Sequence, residues 1–528
     1  MPSLQFDNYF LRELPGNTEI NQDTRHAENV MWSAVTPTSV ANPQLIAYST
    51  EVAAMLGLSA TDMQDPQWIA TLAGNSKISG MSHYATRYGG HQFGHWAGQL
   101  GDGRAIFLGE AIYDGKRYEM QLKGAGKTPY SRHADGRAVL RSSLREFLCS
   151  EAMHHLGIPS TRALSLIDTG EQVTRDMFYN GNPERESGAI VCRVAPSFTR
   201  FGHFEILAAK NELSLLKRMI GFTIARDFAE WLTQIDLVLV IENPSFDLIE
   251  AWFSEICKRT AIMMAGWMRV GFVHGVMNTD NMSILGLTID YGPYGWVDNF
   301  DPGWTPNTTD AQGRRYCFGR QPEIARWNLE RLADALAKLL PNTQGLSNGI
   351  HHFDYIYNTQ LTHDLAGKFG FTEWRDEDAE LINRCFELMT RAEVDMTLFF
   401  THLATVDLKN PIVDTLQHAF YSEQSYQQFA QDFQIWLNIY AQRCSPDTCN
   451  TTNRITSMRQ FNPRYVLRNY IAQEAIDLAT QGDNSRLITL LALLRQPYTQ
   501  QAGMEVFEQK RPDWAKHKAG CSMLSCSS

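Results

Sequence analysis

A polar segment that begins at His274 carries residue types that can hold a metal ion and accept a proton. Asn281 lies seven residues after His274, and Asp290 follows nine residues later, after a largely apolar run. Amide and carboxylate oxygens are hard ligands of the kind that Mg²⁺ prefers, usually together with substrate phosphates. Asp280, next to Asn281, is a carboxylate that could act as a general base. These side chains predict a metal-dependent reaction on a phosphate-containing substrate.

The spacing of this segment matches the catalytic loop of protein kinases in all but one functional position. That loop reads His-Arg-Asp-x-x-x-x-Asn and precedes an Asp-Phe-Gly triplet, whose aspartate holds metal together with the asparagine. Here Asp290 begins an Asp-Tyr-Gly triplet, but Val276 stands where the kinase base would be. A valine cannot accept a proton from a hydroxyl group. Either the chain only binds nucleotide or its base has moved, and Asp280 is the obvious replacement.

A second set of residues upstream could hold the phosphates of a nucleotide. Protein kinases place a glycine-rich turn, a strand lysine and a helix glutamate in that order, with the glutamate paired to the lysine. In this chain a glycine-rich segment at 98–103, a predicted strand ending in Lys123 and a predicted helix carrying Glu146 follow in the same order. The helical neighbours of Glu146 do not form a charged face, so its carboxylate needs a cationic partner. An unrelated surface lysine and a capping glutamate remain the alternative.

Positive charge is concentrated around this second set. Residues 116–145 contain eight basic side chains and two acidic ones. A solvated surface face and an anion pocket are both compatible with such a run, and the preceding glycines favour the pocket because they let backbone N–H groups approach a phosphate. A Walker A loop is disfavoured, because Gln121 stands where its first glycine belongs before Gly126-Lys127-Thr128.

The predicted secondary structure that positions these residues changes along the chain from strands to helices. Residues 1–82 mix short helical stretches with turns and are interpreted as an N-terminal extension. Residues 83–205 are interpreted as a β-rich lobe and residues 206–500 as a helical lobe, with the polar loop 272–305 near their joint and a tail at 501–528. A cleft between two lobes is a usual place for a small ligand. Strands are predicted at 105–112, 118–122, 163–167 and 189–194, and helices at 140–156, 213–234, 247–268, 322–340, 378–400, 425–440 and 463–494.

Composition limits the class of protein. The 528 residues include 47 Lys and Arg against 58 Asp and Glu, a net charge of −11, which disfavours sequence-independent nucleic-acid binding. No apolar run is long enough to span a membrane, and the acidic N-terminal segment is unlike a signal or transit peptide. Nine cysteines scattered along a long chain are not a secreted disulfide framework. We therefore expect a cytoplasmic protein that binds neither nucleic acid nor membranes.

Several long motifs span nearly the whole chain, at 88–94, 99–104, 121–132, 135–153, 274–292, 462–469 and 526–528. These segments resemble the selenoprotein O family of protein adenylyltransferases. The resemblance implies an α+β, protein-kinase-like two-lobed fold in which ATP binds in a flipped orientation. It implies transfer of AMP to Ser, Thr or Tyr hydroxyls of proteins, with Mg²⁺ or Mn²⁺, and some members of the family use UTP.

The resemblance also implies a role for each candidate site residue. Asp280 would be the general base, and Asn281 and Asp290 the metal ligands. Arg193 and Arg200 would hold the terminal phosphate in its reversed position, and Asp290 would also lie against the nucleotide. The remaining nucleotide contacts would come from the glycine-rich loop, the lysine–glutamate pair and the loop before the helix, namely Gly101, Gly103, Arg104, Lys123, Glu146, Asp135 and Gly136.

Cys526 stands at the position where some family members carry selenocysteine. We expect it to remain a thiol or to form a regulatory disulfide with Cys521 or Cys317. Zinc is disfavoured, because the Cys-x4-Cys spacings are unlike those of zinc knuckles. Three alternatives to AMP transfer stay open: Mn²⁺-dependent UMP transfer, an ordinary kinase, which Val276 disfavours, and a non-catalytic nucleotide-binding pseudokinase, which the complete set of metal ligands disfavours.

Overall fold

The computed structural model describes residues 4–20, 23–24, 26–178, 180–232, 237–445, 451–521 and 523–525. Within these residues the strands are β1 Gln5–Phe6, β2 Gly16–Asn17, β3 Trp32–Ala34, β4 Gln44–Tyr48, β5 Tyr84–Thr86, β6 Gly89–Gln92, β7 His95–Gln99, β8 Ala105–Tyr113, β9 Lys116–Lys123, β10 Arg162–Arg175, β11 Glu184–Ala195, β12 Phe272–Val273 and β13 Gly295–Trp296.

The helices of the same residues lie mostly after the strands. They are α1 Tyr9–Glu13, α2 Thr50–Met55, α3 Ala60–Gln64, α4 Pro66–Leu72, α5 Leu140–His155, α6 Phe201–Ala209, α7 Leu213–Asp227, α8 Leu237–Glu242, α9 Phe246–Val270, α10 Gln321–Ala337, α11 Gln344–Phe369, α12 Asp378–Arg391, α13 Met396–Leu403, α14 Glu423–Cys444, α15 Thr451–Phe461, α16 Asn469–Thr480 and α17 Ser485–Leu493. The prediction of a mixed α+β fold is confirmed, and the two-lobed kinase-like arrangement remains a prediction.

One large sheet organises the first 195 residues. Its strand order is β2-β3-β5-β8-β9-β11-β10-β4, and β1 pairs with β8. All of these pairings are antiparallel except β2 with β3. The centre of the sheet places Lys123, the last residue of β9, opposite Ala105 of β8 and Val191 of β11. Both neighbours therefore fix the position of the lysine.

Both faces of the sheet are buried. In β8, Phe107 belongs to the core shared with the helices, whereas Ile106 and Leu108 belong to a core on the other face, because successive strand side chains point to opposite sides. The first core contains α5 and continues into α9, and the second is closed by Trp68 of α4. A third core lies among the later helices α12, α13 and α14. The sheet thus separates an N-terminal cover from the helical part of the molecule.

Local sequence signals explain where the main helices begin and end. The Ser245 side chain accepts a hydrogen bond from the backbone N–H of Leu248 at the start of α9, and Gly271 ends that helix with φ 75°. Helix α5 has no side-chain cap at its start, but nearly all of its residues are buried, so tertiary packing stabilises it. It ends before Gly157, which has φ 76°.

The predicted elements agree with most of the structure and differ in identifiable places. The four predicted strands and the helix 140–156 are confirmed as β8, β9, β10, β11 and α5. The N-terminal segment was predicted to be an extension, but it is part of the main sheet, because β1 to β4 belong to that sheet. The helix predicted at 378–400 is two helices, separated where Asp395 caps α13. The helix predicted at 463–494 begins only at α16 and is likewise divided, and α6 and α11 were not predicted.

No helix in the described part of the chain is both long enough and apolar enough to cross a bilayer.

Candidate active site

Lys123 and Glu146 form the buried ion pair that the sequence predicts. Strand β9 ends at Lys123, helix α5 carries Glu146, and the lysine Nζ lies 2.6 Å from the glutamate Oε2. Burial lowers the pKa of Lys123 to about 7; Arg193 and Arg104 act in the same direction and Glu146 opposes them. Although burial alone would raise it, Lys123 and Arg193 hold the pKa of Glu146 below its usual value. The pair therefore holds an ammonium and a carboxylate together in a water-poor environment, where a phosphate could contact the lysine.

Arg193 and Arg200 converge on Asp290. Arg193, near the end of β11, places Nη1 2.5 Å from Asp290 Oδ1 and 3.1 Å from Glu146 Oε1. Arg200, just before α6, contacts the other Asp290 oxygen, and its Nη1 also donates to the backbone oxygen of Asp280 at 2.9 Å. The structure thus joins both predicted phosphate-binding arginines to a predicted metal ligand. Guanidinium groups with this planar geometry bind phosphates and carboxylates alike.

Asp280 and Asn281 lie in a short 3-10 turn, Thr279–Asn281, between α9 and Asp290. The Asp280 carboxylate is buried, and burial raises its pKa to about 6. Gln92 Nε2 donates to its Oδ2 at 3.2 Å, and its Oδ1 has no hydrogen-bond partner among the described residues. A carboxylate with a raised pKa and an unused oxygen has the properties of a general base.

Val276, which stands where a kinase has its catalytic base, orients the Asn281 side chain. The Asn281 Nδ2 donates to the backbone oxygen of Val276 at 2.9 Å. The ligand atom of Asn281 would therefore be its amide oxygen. Asp290, 18% exposed at its side chain, has a left-handed backbone with φ 58°. This conformation is uncommon for a non-glycine residue but tolerated by aspartate.

These residues fit a divalent cation. Asn281 and Asp290 supply an amide and a carboxylate oxygen, which are the hard ligands of Mg²⁺ and Mn²⁺. The buried, unpartnered oxygen of Asp280 lies on the adjacent residue. Another cluster, of Glu51, His154 and His155, also has a metal-ligand composition. Glu51, however, is paired with two arginines that oppose a cation, and we assign this cluster no role.

The glycine-rich segment is packed closely over the loop that follows β9. Gly101 has φ 132°, and a Cβ at this position would lie 2.5 Å from the ring of Tyr130. A Cβ at Gly103 would lie 3.0 Å from the backbone oxygen of Tyr130. The backbone oxygen of Arg104 accepts a hydrogen bond from Gly124 N–H at 2.8 Å, so the segment stays beside Lys123. The positive φ and the short contact at position 101 therefore require glycine there.

Asp135 and Gly136 lie in the loop between β9 and α5 and have contacts of their own. The Asp135 carboxylate pairs with Arg175 of β10 at 2.6 Å. Gly136 has φ 71°, and a Cβ there would collide with Gly126 O at 2.1 Å. No contact within the described ranges joins this aspartate to Lys123 or Asp290. The structure therefore does not bring Asp135 into the central cluster, and its nucleotide contact remains a prediction.

The basic run at 116–145 is not one continuous anion pocket. Arg117, Arg137 and Arg141 pair with acidic residues elsewhere in the fold, at 2.5 Å, 3.2 Å and 2.9 Å. Arg145 stacks on the ring of Tyr294, 4.2 Å from its centroid. Of this run, Lys123 is the residue that contacts the central carboxylates.

A hairpin outside the predicted site residues covers the loop that carries Asp280. Strands β6 and β7 form it, and Gln92 and His91 contact Asp280 and Thr279. Gln121 was also missed, although its side-chain oxygen accepts a hydrogen bond from Arg193. The closely spaced glycines at 89–94 were the available signal, because a Cβ at Gly90 would lie 2.9 Å from Asp280 Oδ1. Glycine is needed there for close approach.

The C-terminal tail reaches the segment that follows Asp290. Leu524 N–H donates to Pro306 O at 3.1 Å, and Thr308 N–H donates to Leu524 O at 2.8 Å. Cys521 and Cys317 are buried, and burial raises the pKa of the Cys521 thiol to about 11. Cys526 and Cys449, the second cysteines of the two Cys-x4-Cys spacings, lie outside the described residues, so the expected disulfide of Cys526 stays a prediction.

Comparisons with known proteins cover almost the entire chain. A sequence model of the family described as Protein adenylyltransferase SelO matches residues 17–495. A Methylobacillus flagellatus protein named Protein nucleotidyltransferase YdiU is 59% identical over 526 residues, which cover 99% of this chain and 100% of the relative. Relatives of the same name from Tolumonas auensis and Azoarcus sp. are 58% and 56% identical and cover 100% of both chains.

Proposed function

The chain belongs to the SelO family and is a nucleotidyltransferase, and from this premise we propose that it transfers AMP from ATP to Ser, Thr or Tyr hydroxyls of proteins. The observation that carries the proposal is the position of Asp280. It is a buried carboxylate with an unpartnered oxygen, and it adjoins the metal-ligand candidate Asn281. Val276 occupies the position where an ordinary kinase has its catalytic base.

The proposed reaction uses the charged groups already described. The acceptor oxygen attacks the α-phosphorus, the bond from that phosphorus to the bridging oxygen breaks, and pyrophosphate leaves. Asp280 accepts the hydroxyl proton, which its raised pKa favours near neutral pH. Lys123, Arg193 and Arg200 bind the phosphates that leave and offset their negative charge.

Asn281 and Asp290 are the residues that would hold Mg²⁺ or Mn²⁺ in this proposal. A divalent ion supplies charge neutralisation and orientation to a phosphate chain. Because Arg193 and Arg200 both contact Asp290, nucleotide binding requires these arginines to exchange at least part of their contact with the carboxylate for contact with phosphate. UTP in place of ATP with Mn²⁺ is the second candidate substrate, carried by the resemblance rather than by a contact in the site.

Labelled nucleotides test the proposal directly. The full chain is incubated with Mg²⁺ or Mn²⁺, acceptor proteins, and ATP labelled at either the α or the γ phosphate. We expect only the α label on proteins, with a mass gain equal to one AMP unit on a hydroxyl side chain. Transfer of the γ label would make the protein an ordinary kinase. Nucleotide binding without transfer of either label would make it a pseudokinase, and a stronger signal with α-labelled UTP would favour UMP transfer.

A further inference from the structure

Gln121 lies directly opposite Arg193 in the main sheet. It belongs to β9, two residues before Lys123, and its register partner in the neighbouring strand β11 is Arg193. Side chains two positions apart in a strand share a face, so Gln121 lies on the same face of the sheet as Lys123. The Gln121 side chain is buried. The strand register therefore places a buried amide beside two residues that are proposed to bind phosphate.

The Gln121 amide holds one nitrogen of the Arg193 guanidinium. Because a guanidinium only donates hydrogen bonds, the atom that faces it is the amide oxygen, and Gln121 Oε1 accepts from Arg193 Nη2. The other terminal nitrogen, Nη1, donates to Glu146 Oε1 at 3.1 Å and to Asp290 Oδ1 at 2.5 Å. The guanidinium carbon lies 5.1 Å from the centroid of the Phe198 ring. The contact with Gln121 is thus made by a different nitrogen from the one that contacts Asp290.

This separation of contacts is important when a nucleotide binds. In the proposed reaction Arg193 exchanges at least part of its contact with Asp290 for a phosphate, and that exchange frees Nη1 but not Nη2. The bond to Gln121 can therefore persist and keep the guanidinium oriented. A carboxylate in place of the amide would form a charge-assisted pair with the arginine and reduce the positive charge available to phosphate.

Two buried donors in this pair of side chains lack an acceptor. Gln121 Nε2 and Arg193 Nε have no hydrogen-bond partner among the described residues. Most buried polar groups in folded proteins are hydrogen-bonded, so unused donors on two touching side chains indicate a site that a ligand completes. Phosphate oxygens are acceptors of the kind these donors lack.

We propose that Gln121 is a positioning residue for Arg193, and that it increases affinity for the phosphates of ATP that leave, and not for the nucleoside monophosphate that is transferred. This inference rests on the proposed function, in which Arg193 binds the leaving phosphates. AMP lacks those phosphates. ATP and AMP are therefore a matched pair of probes for the action of Gln121.

Gln121→Met tests the inference, because methionine has a similar length but neither amide atom. Binding of ATP and of AMP to the full chain is measured by calorimetry with Mg²⁺. We expect the Kd for ATP to rise roughly tenfold, as loss of one hydrogen bond to a charged group commonly causes, and the Kd for AMP to stay unchanged. Gln473→Met is the matched control: Gln473 is a buried glutamine of α16 that donates to Asp477 at 2.7 Å, and its loss should change neither Kd.

A double-mutant cycle shows whether Gln121 acts through Arg193. In an Arg193→Met background, Gln121→Met should cause no further rise in the Kd for ATP, because the group that it orients is already absent. Gln121→Glu is a second variant, with nearly the same shape and an acceptor for the arginine. Its negative charge should weaken ATP binding more than AMP binding. Circular dichroism checks the folding of every variant.

The outcomes separate this inference from the proposed function. An unchanged Kd for ATP in both Gln121 variants would overturn the inference while AMP transfer stands. Equal rises for ATP and AMP, or an equal effect of Gln121→Met with and without Arg193, would also overturn it, because Gln121 would then act on the fold or on another group. A selective loss of ATP affinity, with no transfer of the α label by the unmodified protein, would support the inference and overturn the proposed reaction.

Discussion

Arg193 Nη1 lies 2.5 Å from Asp290 Oδ1, so a proposed phosphate-binding residue is paired with a proposed metal ligand. Arg200 contacts the second oxygen of the same carboxylate. A carboxylate held by two guanidinium groups is charge-compensated without a cation. A metal–nucleotide complex can replace this arrangement, because its cation would satisfy Asp290 and its phosphates would satisfy the two arginines.

Asp290→Asn tests the role of this carboxylate. The substitution keeps a side chain of similar size and a residue type that tolerates the left-handed backbone at φ 58°. It removes the negative charge that the proposed metal ion would need. We expect AMP transfer to fall roughly 10²–10³-fold, as happens when a charge-stabilising group is removed from an active site. The measurement is the rate of α-label transfer, with circular dichroism to check folding.

Asp114→Asn is the matched control for that experiment. Asp114 is exposed, and its φ of 48° is also left-handed. It lies in the turn between β8 and β9, and we expect normal transfer from this variant. Near-normal transfer from folded Asp290→Asn would show that Asp290 is not a metal ligand.

Glu146→Gln tests the buried ion pair. The substitution leaves the Lys123 ammonium, 2.6 Å from the carboxylate in the unmodified protein, without its closest counter-charge. Removing one partner of a buried pair typically costs about 3–5 kcal/mol. We expect a lower melting temperature and weaker nucleotide binding, measured by thermal unfolding with and without ATP. If Lys123→Met restores the melting temperature of Glu146→Gln but not its ATP binding, the pair has the expected dual role. An unchanged melting temperature in Glu146→Gln would contradict it.

Stability at mildly acidic pH should depend on His83. Burial lowers the pKa of His83 to about 4, from an ordinary value of 6.5. The unfolded chain therefore binds more protons than the folded chain between these values, and stability falls as the pH decreases from 6.5 towards 4. One such group contributes at most about 1.4 kcal/mol per pH unit in that window. We expect His83→Gln to flatten the decline, measured as the unfolding free energy at several pH values.

His133→Gln is the control for the pH experiment, because His133 is exposed. It should leave the slope of the unfolding free energy against pH unchanged. An identical slope in the unmodified protein and His83→Gln would mean that His83 does not contribute to the acid sensitivity.

Short-range patterns predicted Lys123, Glu146, Asp280, Asn281 and Asp290 because each belongs to a local motif, whereas Arg193 and Arg200 were implied only by the family resemblance. The Lys123–Glu146 pair follows from a strand and a helix with clear signals, and its 2.6 Å contact confirms it. The contacts of Arg193 and Arg200 with Asp290 join residues about 90–97 positions apart, and no spacing rule predicts such pairs. The hydrogen bond from Gln92 to Asp280 was not predicted for the same reason, because the two residues are 188 positions apart in the chain.

The fold was predictable where one periodicity was strong. Strands β8 to β11 and helices α5 and α9 have such patterns. Strands β2 and β3, by contrast, have two and three residues, too few for a pattern, and the main sheet stabilises them. The break between α12 and α13 depends on Asp395, whose side chain both caps α13 and pairs with Arg468. That second contact is a tertiary one, which the local sequence does not contain.

The assignment of Asp280 as the base makes a final prediction about two positions. Val276 is buried, and its backbone oxygen already accepts the Asn281 amide. Asp280→Asn should abolish transfer of the α label while it preserves most nucleotide affinity, because Lys123, Arg193 and Arg200 remain. Val276→Asp should not create transfer of the γ label, since the terminal phosphate would be held by the arginines and would not face the acceptor. Both labels are followed on the same acceptor peptide, with ATP affinity measured in parallel. Normal transfer of the α label by Asp280→Asn would show that another residue is the base. Transfer of the γ label by Val276→Asp would show that the terminal phosphate faces the acceptor, as in an ordinary kinase.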